Sequence, residues 1–365
     1  MPIINEAPEE GGYRMKDIES MKEEIEVIDS MIVKLMIQRS DIAKRIGVMK
    51  NELGIPLRDE DAEKKEIERC RTMSKNSSLP QGASESICNV LTASSAELQS
   101  TAIIKWCQKR VTIIGGNGQM GRWMRRYFRR RGAVVNIVDV SEGSMEDAAD
   151  SDVVVISVPI SSVESVLKAA DAICKKDALI FDIASVKSSF TDDLRKMAEH
   201  RKVCSVHPMF GPSAASMFDR SVVICDCGCS NAADEAAELF NDEGSNIIVT
   251  TVERHDELMA YVLALAHASN VVFFTTLRES GIPFNELKGV ASTTFKRCLD
   301  ACVPLSKENA SLYHEIQNLN GNAESMWNIY EGAVREVREA SLSENPEKFI
   351  KLMKKGKEYL SKSRV

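Results

Sequence analysis

Between Val111 and Asp139 the chain reads as an apolar strand at 111–114, a turn with Gly116, Gly118 and Gly121 in Gly-x-Gly-x-x-Gly spacing, a helical run, a second apolar strand at 134–138, and an acid, Asp139. Few folds can use that order. Neighbouring parallel strands need a crossover, and a helix supplies it in a right-handed unit. The glycines let backbone amides close on a pyrophosphate, and the helix N-terminus favours the same anion. An acid about 20 residues on can accept from ribose hydroxyls. Asp139 would repel a 2′-phosphate, so the pattern predicts NAD rather than NADP. The arginines that follow (Arg122, Arg125, Arg126, Arg129, Arg130 and Arg131) read as a solvated or inter-domain helix face.

Such a unit usually opens its domain, yet about a hundred residues stand in front of it here, so a separate module is expected. In 15–106 apolar residues at 21, 25, 28, 32, 35, 36, 42 and 46 recur at helical spacing. No Gly or Pro interrupts them before Gly47, so a first helix of about thirty-five residues is predicted. A helix that long cannot bury its apolar stripe alone and needs other helices or another subunit. Gly54-Ile55-Pro56 ends it, a second helix follows Asp59, and a third closes near Trp106.

Residues 109–251 alternate apolar runs (111–114, 134–138, 153–158, 178–183, 203–206, 221–225) with helical stretches, which predicts a mainly parallel, doubly wound α/β sheet. From 252 to 365 the pattern is helical again, and Asn345-Pro346 marks the start of the last helix. Residues 1–14, acidic and short of apolar side chains, read as a disordered tail rather than a signal peptide. At 365 residues and 44% apolar the chain reads as a soluble globular protein of two or three domains, and its scattered cysteines suggest a reducing, cytoplasmic setting. With a net charge of −7, neither nucleic acid nor a membrane is an expected partner. The ten cysteines lack metal-knuckle spacing and read as thiols, with no metal expected.

Ser205-Val206-His207-Pro208-Met209-Phe210-Gly211-Pro212 puts a histidine at a strand end on the side where such sheets bind ligands. Imidazole titrates near neutrality, so His207 can accept a hydroxyl proton while hydride leaves the same carbon. Four motifs occur in order: Gly115-Gly116-Asn117-Gly118-Gln119-Met120-Gly121, Ser157-Val158-Pro159, Asp182 to Lys187, and the His207-Pro208 segment. Together they resemble the prephenate dehydrogenases, in particular those fused to a chorismate mutase. The resemblance implies oxidative decarboxylation of prephenate to 4-hydroxyphenylpyruvate with NAD. It puts Gln119, Met120, Ser157 and Pro159 with the glycines at the cofactor, and His207 on the ring hydroxyl. His267 and Arg297 match the family's substrate histidine and carboxylate-binding arginine. Some relatives carry an acid where Ser213 stands, so a gate built on such an acid is not expected.

In the front module, Arg39 and Lys50 lie three turns apart on one helix face. Asp59 with Glu63, and Ser95 with Gln99, are each one turn apart. Gathered in a bundle, they make a charged pocket. The set resembles the all-helical chorismate mutases, and that resemblance implies that Lys50 and Gln99 donate to the ether oxygen of chorismate. Arg39 would hold a carboxylate and Glu63 the ring hydroxyl, with Asp59 and Ser95 completing the pocket. Lys22 stands where the family places an arginine serving the other subunit, and Ala62 replaces a second arginine. The chain is thus expected to be a homodimer with an all-α mutase-like module, a Rossmann-type domain and an all-α substrate and dimerisation domain. Two alternatives stay open: a non-catalytic front module, or an NAD-dependent dehydrogenase of arogenate or another small acid.

Overall fold

The computed structural model describes residues 15–55, 60–79, 82–100, 108–214, 216–218, 220–241 and 245–362. The tail at 1–14 and Asp59 lie outside them. The chain forms two compact units. One holds Met1–Lys105 with Ala214–Asp219 and Asp242–Ser245; the other holds Trp106–Ser213, Arg220–Asn241 and Asn246–Val365.

The first unit is helical: α1 (Met15–Leu53), α2 (Glu60–Ser74) and α3 (Ala83–Ser100). α3 packs on both α1 and α2, and small residues at the contacts, Ala43, Cys88 and Ala96, are buried. Cys70 and Cys88 are joined as a disulfide between α2 and α3. This corrects the reading of every cysteine as a thiol. At 39 residues α1 is slightly longer than expected. Met21, Ile25, Ile28, Ile32 and Leu35 on its first half are exposed. Each would gain about 1.5–3 kcal/mol from full burial, so this stripe calls for a partner.

The second unit is built on a seven-stranded sheet. Its elements are β1 (Arg110–Ile114), α4 (Gln119–Arg130), β2 (Val134–Val138), β3 (Val153–Ile156), α5 (Val163–Ile173), β4 (Leu179–Asp182), α6 (Thr191–Ala198), β5 (Lys202–Pro208), β6 (Ser221–Asp226), α7 (Ser230–Phe240) and β7 (Asn246–Thr251). The strand order is β2-β1-β3-β4-β5-β6-β7. Every neighbouring pair is parallel except β5 with β6. All four residues of β3 and of β4 are buried, as expected of strands covered on both faces. β7 is an addition to the expected strands; its β-branched run at 247–251 was the available signal. Arg131 departs from the solvated-face reading of the arginine run. It is 2% exposed, with its guanidinium 3.9 Å from the centre of the Tyr127 ring.

A continuous helix follows: α8 (Val252–Met259), a π-helical stretch at Ala260–Leu265, and α9 (Ala266–Glu279). By length and composition alone this helix could cross a bilayer. The π stretch loosens the usual ladder, and Gln317 Nε2 donates to the Ala264 carbonyl at 2.7 Å. Five more helices complete the unit: α10 (Phe284–Gly289), α11 (Thr293–Leu305), α12 (Ala310–Asn318), α13 (Ala323–Ser341) and α14 (Glu347–Ser361). Asn345 Oδ1 accepts from Glu347 N at 2.9 Å and so starts α14.

Candidate active sites

β1 lies between β2 and β3, so chain direction across the sheet reverses at its C-terminal end. Crevices at such switch points bind ligands, and the glycine turn sits there. Gly115 has φ +81°, and a Cβ on it would stand 2.2 Å from Ser157 O. Gly116 packs on the Ile137 side chain, and a Cβ on Gly121 would lie 2.3 Å from Gly115 O. Helix α4 can therefore press against the turn, with Gln119 and Met120 in its first turn. Gly118 is its N-cap and supplies no side chain to the helix's leading amides, which favours an anion there. Asp139 Oδ2 accepts from Asn117 N at 2.9 Å and its Oδ1 from Val140 N at 2.8 Å, bringing the acid beside the turn. Ser157 N donates to Ile114 O at 2.7 Å, and Pro159 caps the short helical turn at Ile160–Ser162. This arrangement fits a dinucleotide. Gly121→Ala is expected to cost about 3 kcal/mol, the upper end of the range for overpacking, and to weaken dinucleotide binding. An unchanged melting temperature would contradict the close approach.

His207 sits one residue before the end of β5 and is 4% exposed. Its Nδ1 lies 2.9 Å from His255 Nε2 on α8. His255 Nδ1 lies 2.7 Å from Asp256 Oδ1. Asp256 also accepts from the backbone amides of Lys187 (2.9 and 3.0 Å) and Ser188 (2.6 Å), and from the Ser188 hydroxyl. Lys187 Nζ is fully buried, 2.8 Å from Asp182 Oδ1 and 3.0 Å from Val206 O, and so braces the strand at His207. Burial pushes the His207 pKa well below its ordinary value, and the nearby His255 and Lys187 push the same way. Burial also tends to raise the Asp256 carboxyl, but hydrogen bonds from His255 and Ser188 outweigh it and hold the pKa low. His255 and Asp256 were not among the residues expected from sequence. Their polar surroundings, Glu253-Arg254 and Glu257, look like an exposed helix start.

His267 lies on α9, beyond the π stretch, with its ring edge-on to Tyr313 at 4.4 Å. Its Nδ1 is buried without a hydrogen-bond partner, and burial lowers its pKa. Arg297 is exposed on α11. Among the described residues no hydrogen bond or ion pair joins it to His207 or His267. Ser161 Oγ donates to Glu315 Oε1 at 2.7 Å and Ile160 N to Oε2 at 3.1 Å, which ties α12 to the loop carrying Ser157 and Pro159.

The helical unit holds a cavity of about 250 Å³ whose polar lining includes Arg39, Lys50, Glu66, Ser95 and Gln99. Four of these were expected from spacing, and Glu66 was not. Arg39 donates to Glu66 Oε1 at 2.8 Å, to Leu91 O at 2.5 Å and to the Ser95 hydroxyl. Gln99 Oε1 and Thr92 Oγ1 are buried without hydrogen-bond partners. Ala62 lines the wall directly, so at that position the described lining carries a methyl group where the mutase resemblance would place a guanidinium. Lys22 is exposed on α1 and does not line the cavity. Glu63 falls within α2, but its side chain is outside what is described. No three or more His, Cys, Asp or Glu among the described residues are grouped as metal ligands.

Comparison with known proteins agrees with this division. Residues 21–100 match the chorismate mutase type II family, 106–249 the prephenate dehydrogenase nucleotide-binding domain, and 251–355 the prephenate dehydrogenase dimerization domain. A T-protein of Haemophilus influenzae is 25% identical over 83% of this chain and 81% of its own length. A probable arogenate/prephenate dehydrogenase of Methanocaldococcus jannaschii is 27% identical over 67% of the chain, which spans 59% of that relative's length. The crystal structure of prephenate dehydrogenase from A. aeolicus, in complex with hydroxyphenyl propionate and NAD+, covers 70% of this chain and 99% of its own. It superposes with a TM-score of 0.58 at 19% identity, a likeness of fold. With a type II chorismate mutase module ahead of both prephenate dehydrogenase domains, the chain belongs to the bifunctional chorismate mutase/prephenate dehydrogenases.

Proposed function

We propose that this protein performs two consecutive steps of tyrosine biosynthesis. The helical unit rearranges chorismate to prephenate, and the second unit oxidises and decarboxylates prephenate to 4-hydroxyphenylpyruvate. The observation that carries the reading is a buried, hydrogen-bonded His207 in the same sheet as the glycine turn. The dinucleotide is NAD: Gly116, Gly118, Gln119, Met120 and Gly121 would hold its pyrophosphate, with Ser157 and Pro159 beside them. Asp139 would take its ribose. When bound, NAD supplies the hydride acceptor. His207 accepts the proton of the ring hydroxyl, His267 offers its unpartnered nitrogen to substrate, and Arg297 pairs with a carboxylate.

In the mutase cavity Arg39 is already hydrogen-bonded to Glu66 and Ser95 and so is ordered for a carboxylate. Lys50 and Gln99 face the forming charge on the ether oxygen. Glu63 would hold the ring hydroxyl, with Asp59 and Ser95 completing the pocket, and Lys22 would serve the site of a second copy. The exposed stripe on α1 and the matched dimerization domain support a homodimer. We place the protein in the cytoplasm, without a membrane or nucleic-acid partner. Although α8 to α9 could span a bilayer by composition, its His255 and Asp256 are hydrogen-bonded into the sheet.

The test is to incubate the protein with chorismate alone and then with chorismate plus NAD. Loss of chorismate without NAD, followed by cofactor reduction when NAD is added, is expected. Cofactor reduction from supplied prephenate with no turnover of chorismate would leave a dehydrogenase with a non-catalytic front module. Ala62→Arg is expected to lower the KM for chorismate about tenfold, since a charge-assisted hydrogen bond contributes about 1.5–3 kcal/mol. An unchanged KM would remove Ala62 from the carboxylate wall.

A further inference from the structure

We propose that His255 and Asp256 form a relay behind His207 that fixes which of its ring nitrogens is the base and shares the charge that forms on it. The inference rests on the dehydrogenase reading above and adds two positioning residues to it. Each link constrains the next. The partners of Asp256 from Lys187 and Ser188 are all donors, so its two oxygens act as an ionised, acceptor-only carboxylate. His255 Nδ1, 2.7 Å from Oδ1, must therefore carry a proton. In a neutral ring that leaves His255 Nε2 with a lone pair, so His207 Nδ1, 2.9 Å away, must be the donor. His207 Nε2 is then the basic nitrogen.

As the hydroxyl O–H bond breaks, its proton forms a bond to His207 Nε2. The positive charge on that ring strengthens the bond from His207 Nδ1 to His255, and in turn the bond from His255 to Asp256. The proton passes to solvent when product leaves. Lys187 and Asp182 lie beneath the same strand, but at 2.8 Å they offset each other. Asp256 is therefore the net anion facing the relay. A base as buried as His207 forms its cation at a high desolvation cost, and a carboxylate reached through one neutral imidazole offsets part of it. Asn320 Nδ2 holds the Asp256 carbonyl at 2.9 Å, and the Gly321 amide holds the Ser188 hydroxyl at 3.1 Å, so the acid sits in a braced position.

A purely structural Asp–His tie between α8 and the loop after β4 would give the same distances, so the test reads the tautomer directly. The chain has five histidines, and nitrogen-15 NMR of histidine-labelled protein, assigned with the His207→Asn variant, can resolve them. The expected result is a proton on Nδ1 of both His207 and His255. In Asp256→Asn the amide oxygen should stay on the Lys187 and Ser188 amides and turn its NH2 toward His255. That reverses both tautomers and moves the proton of His207 onto Nε2. The kcat for prephenate oxidation should then fall by roughly 10³–10⁴-fold, as expected when an acid that fixes a histidine tautomer is neutralised. KM for prephenate, NAD affinity and chorismate turnover should stay near parental values. A His207 protonated at Nε2 in the parent protein would overturn the relay even if the variant fails to fold. So would an Asp256→Asn variant that keeps a near-parental kcat. If the parent does not oxidise prephenate at all, the substrate assignment falls, while the tautomer measurement still decides the relay.

Discussion

Replacing His207 by asparagine is expected to lower oxidation of prephenate by roughly 10²–10⁴-fold, the usual contribution of a positioned acid–base group. Chorismate rearrangement should continue at the parental rate. Asparagine keeps a polar side chain beside His255 but cannot take the hydroxyl proton. Because His207 is buried, the variant also tests whether the effect is chemical: a loss of packing would lower the melting temperature, whereas loss of the base would lower kcat alone. The pH dependence supplies a second check. The base is competent when deprotonated, above its pKa, and burial moves that pKa well below the ordinary value. Dehydrogenase kcat/KM should therefore be flat across neutrality and fall on the acid side, well below the ordinary histidine pKa of about 6.5. An acid limb centred at that ordinary value would contradict a buried base. Equal loss of both activities in His207→Asn would deny the residue its assigned role.

The parts legible in the sequence are those where backbone geometry restricts residue choice. The turn after β1 could be read because a Cβ at Gly121 collides with backbone, so composition reports conformation there. The strand-end position of His207 could be read because the apolar run of β5 ends there and prolines fix the loop after it. His255 and Asp256 could not, because their burial comes from contact with Lys187 and Ser188, nearly seventy residues earlier. Nothing in Glu253-Arg254-His255-Asp256-Glu257 distinguishes them from a solvated helix start. Arg131 was hidden for a different reason: it reads like the solvated arginines before it, yet its charge lies over the Tyr127 ring one turn back. In the helical unit the phase of α2 was the difficulty. Its sequence is polar on all sides, so periodicity does not say which face turns inward. Residues 62 and 66, one turn apart, line the cavity. The exposed residues of α1 mark the other limit: the stripe is plain in the sequence, but none of the described residues covers its first half.

Lys50→Ala is expected to slow chorismate rearrangement by roughly 10²–10³-fold, the effect of removing one donor aimed at a developing anion. Prephenate supplied directly should still be oxidised at the parental rate. The rearrangement needs neither nucleophile nor base, so catalysis rests on holding a compact conformer and stabilising the ether oxygen as its bond to carbon breaks. Among the described residues two cations, Arg39 and Lys50, line this cavity. The charge of Arg39 is partly offset by Glu66 at 2.8 Å, and its guanidinium is also committed to Leu91 O and the Ser95 hydroxyl. It can orient a carboxylate but is poorly placed to add charge at a second point. The wall at Ala62 offers no cation. We assign most of the electrostatic effect to Lys50, the second cation of the described lining, with Gln99 as the neutral donor beside it. The loss on truncation should appear in kcat more than in KM, because the ether oxygen gains its charge only in the transition state. A Lys50→Ala variant that turns over chorismate at the parental rate would mean that this cavity is not the mutase site. A variant losing KM alone would move Lys50 to carboxylate binding and leave Gln99 to face the ether oxygen.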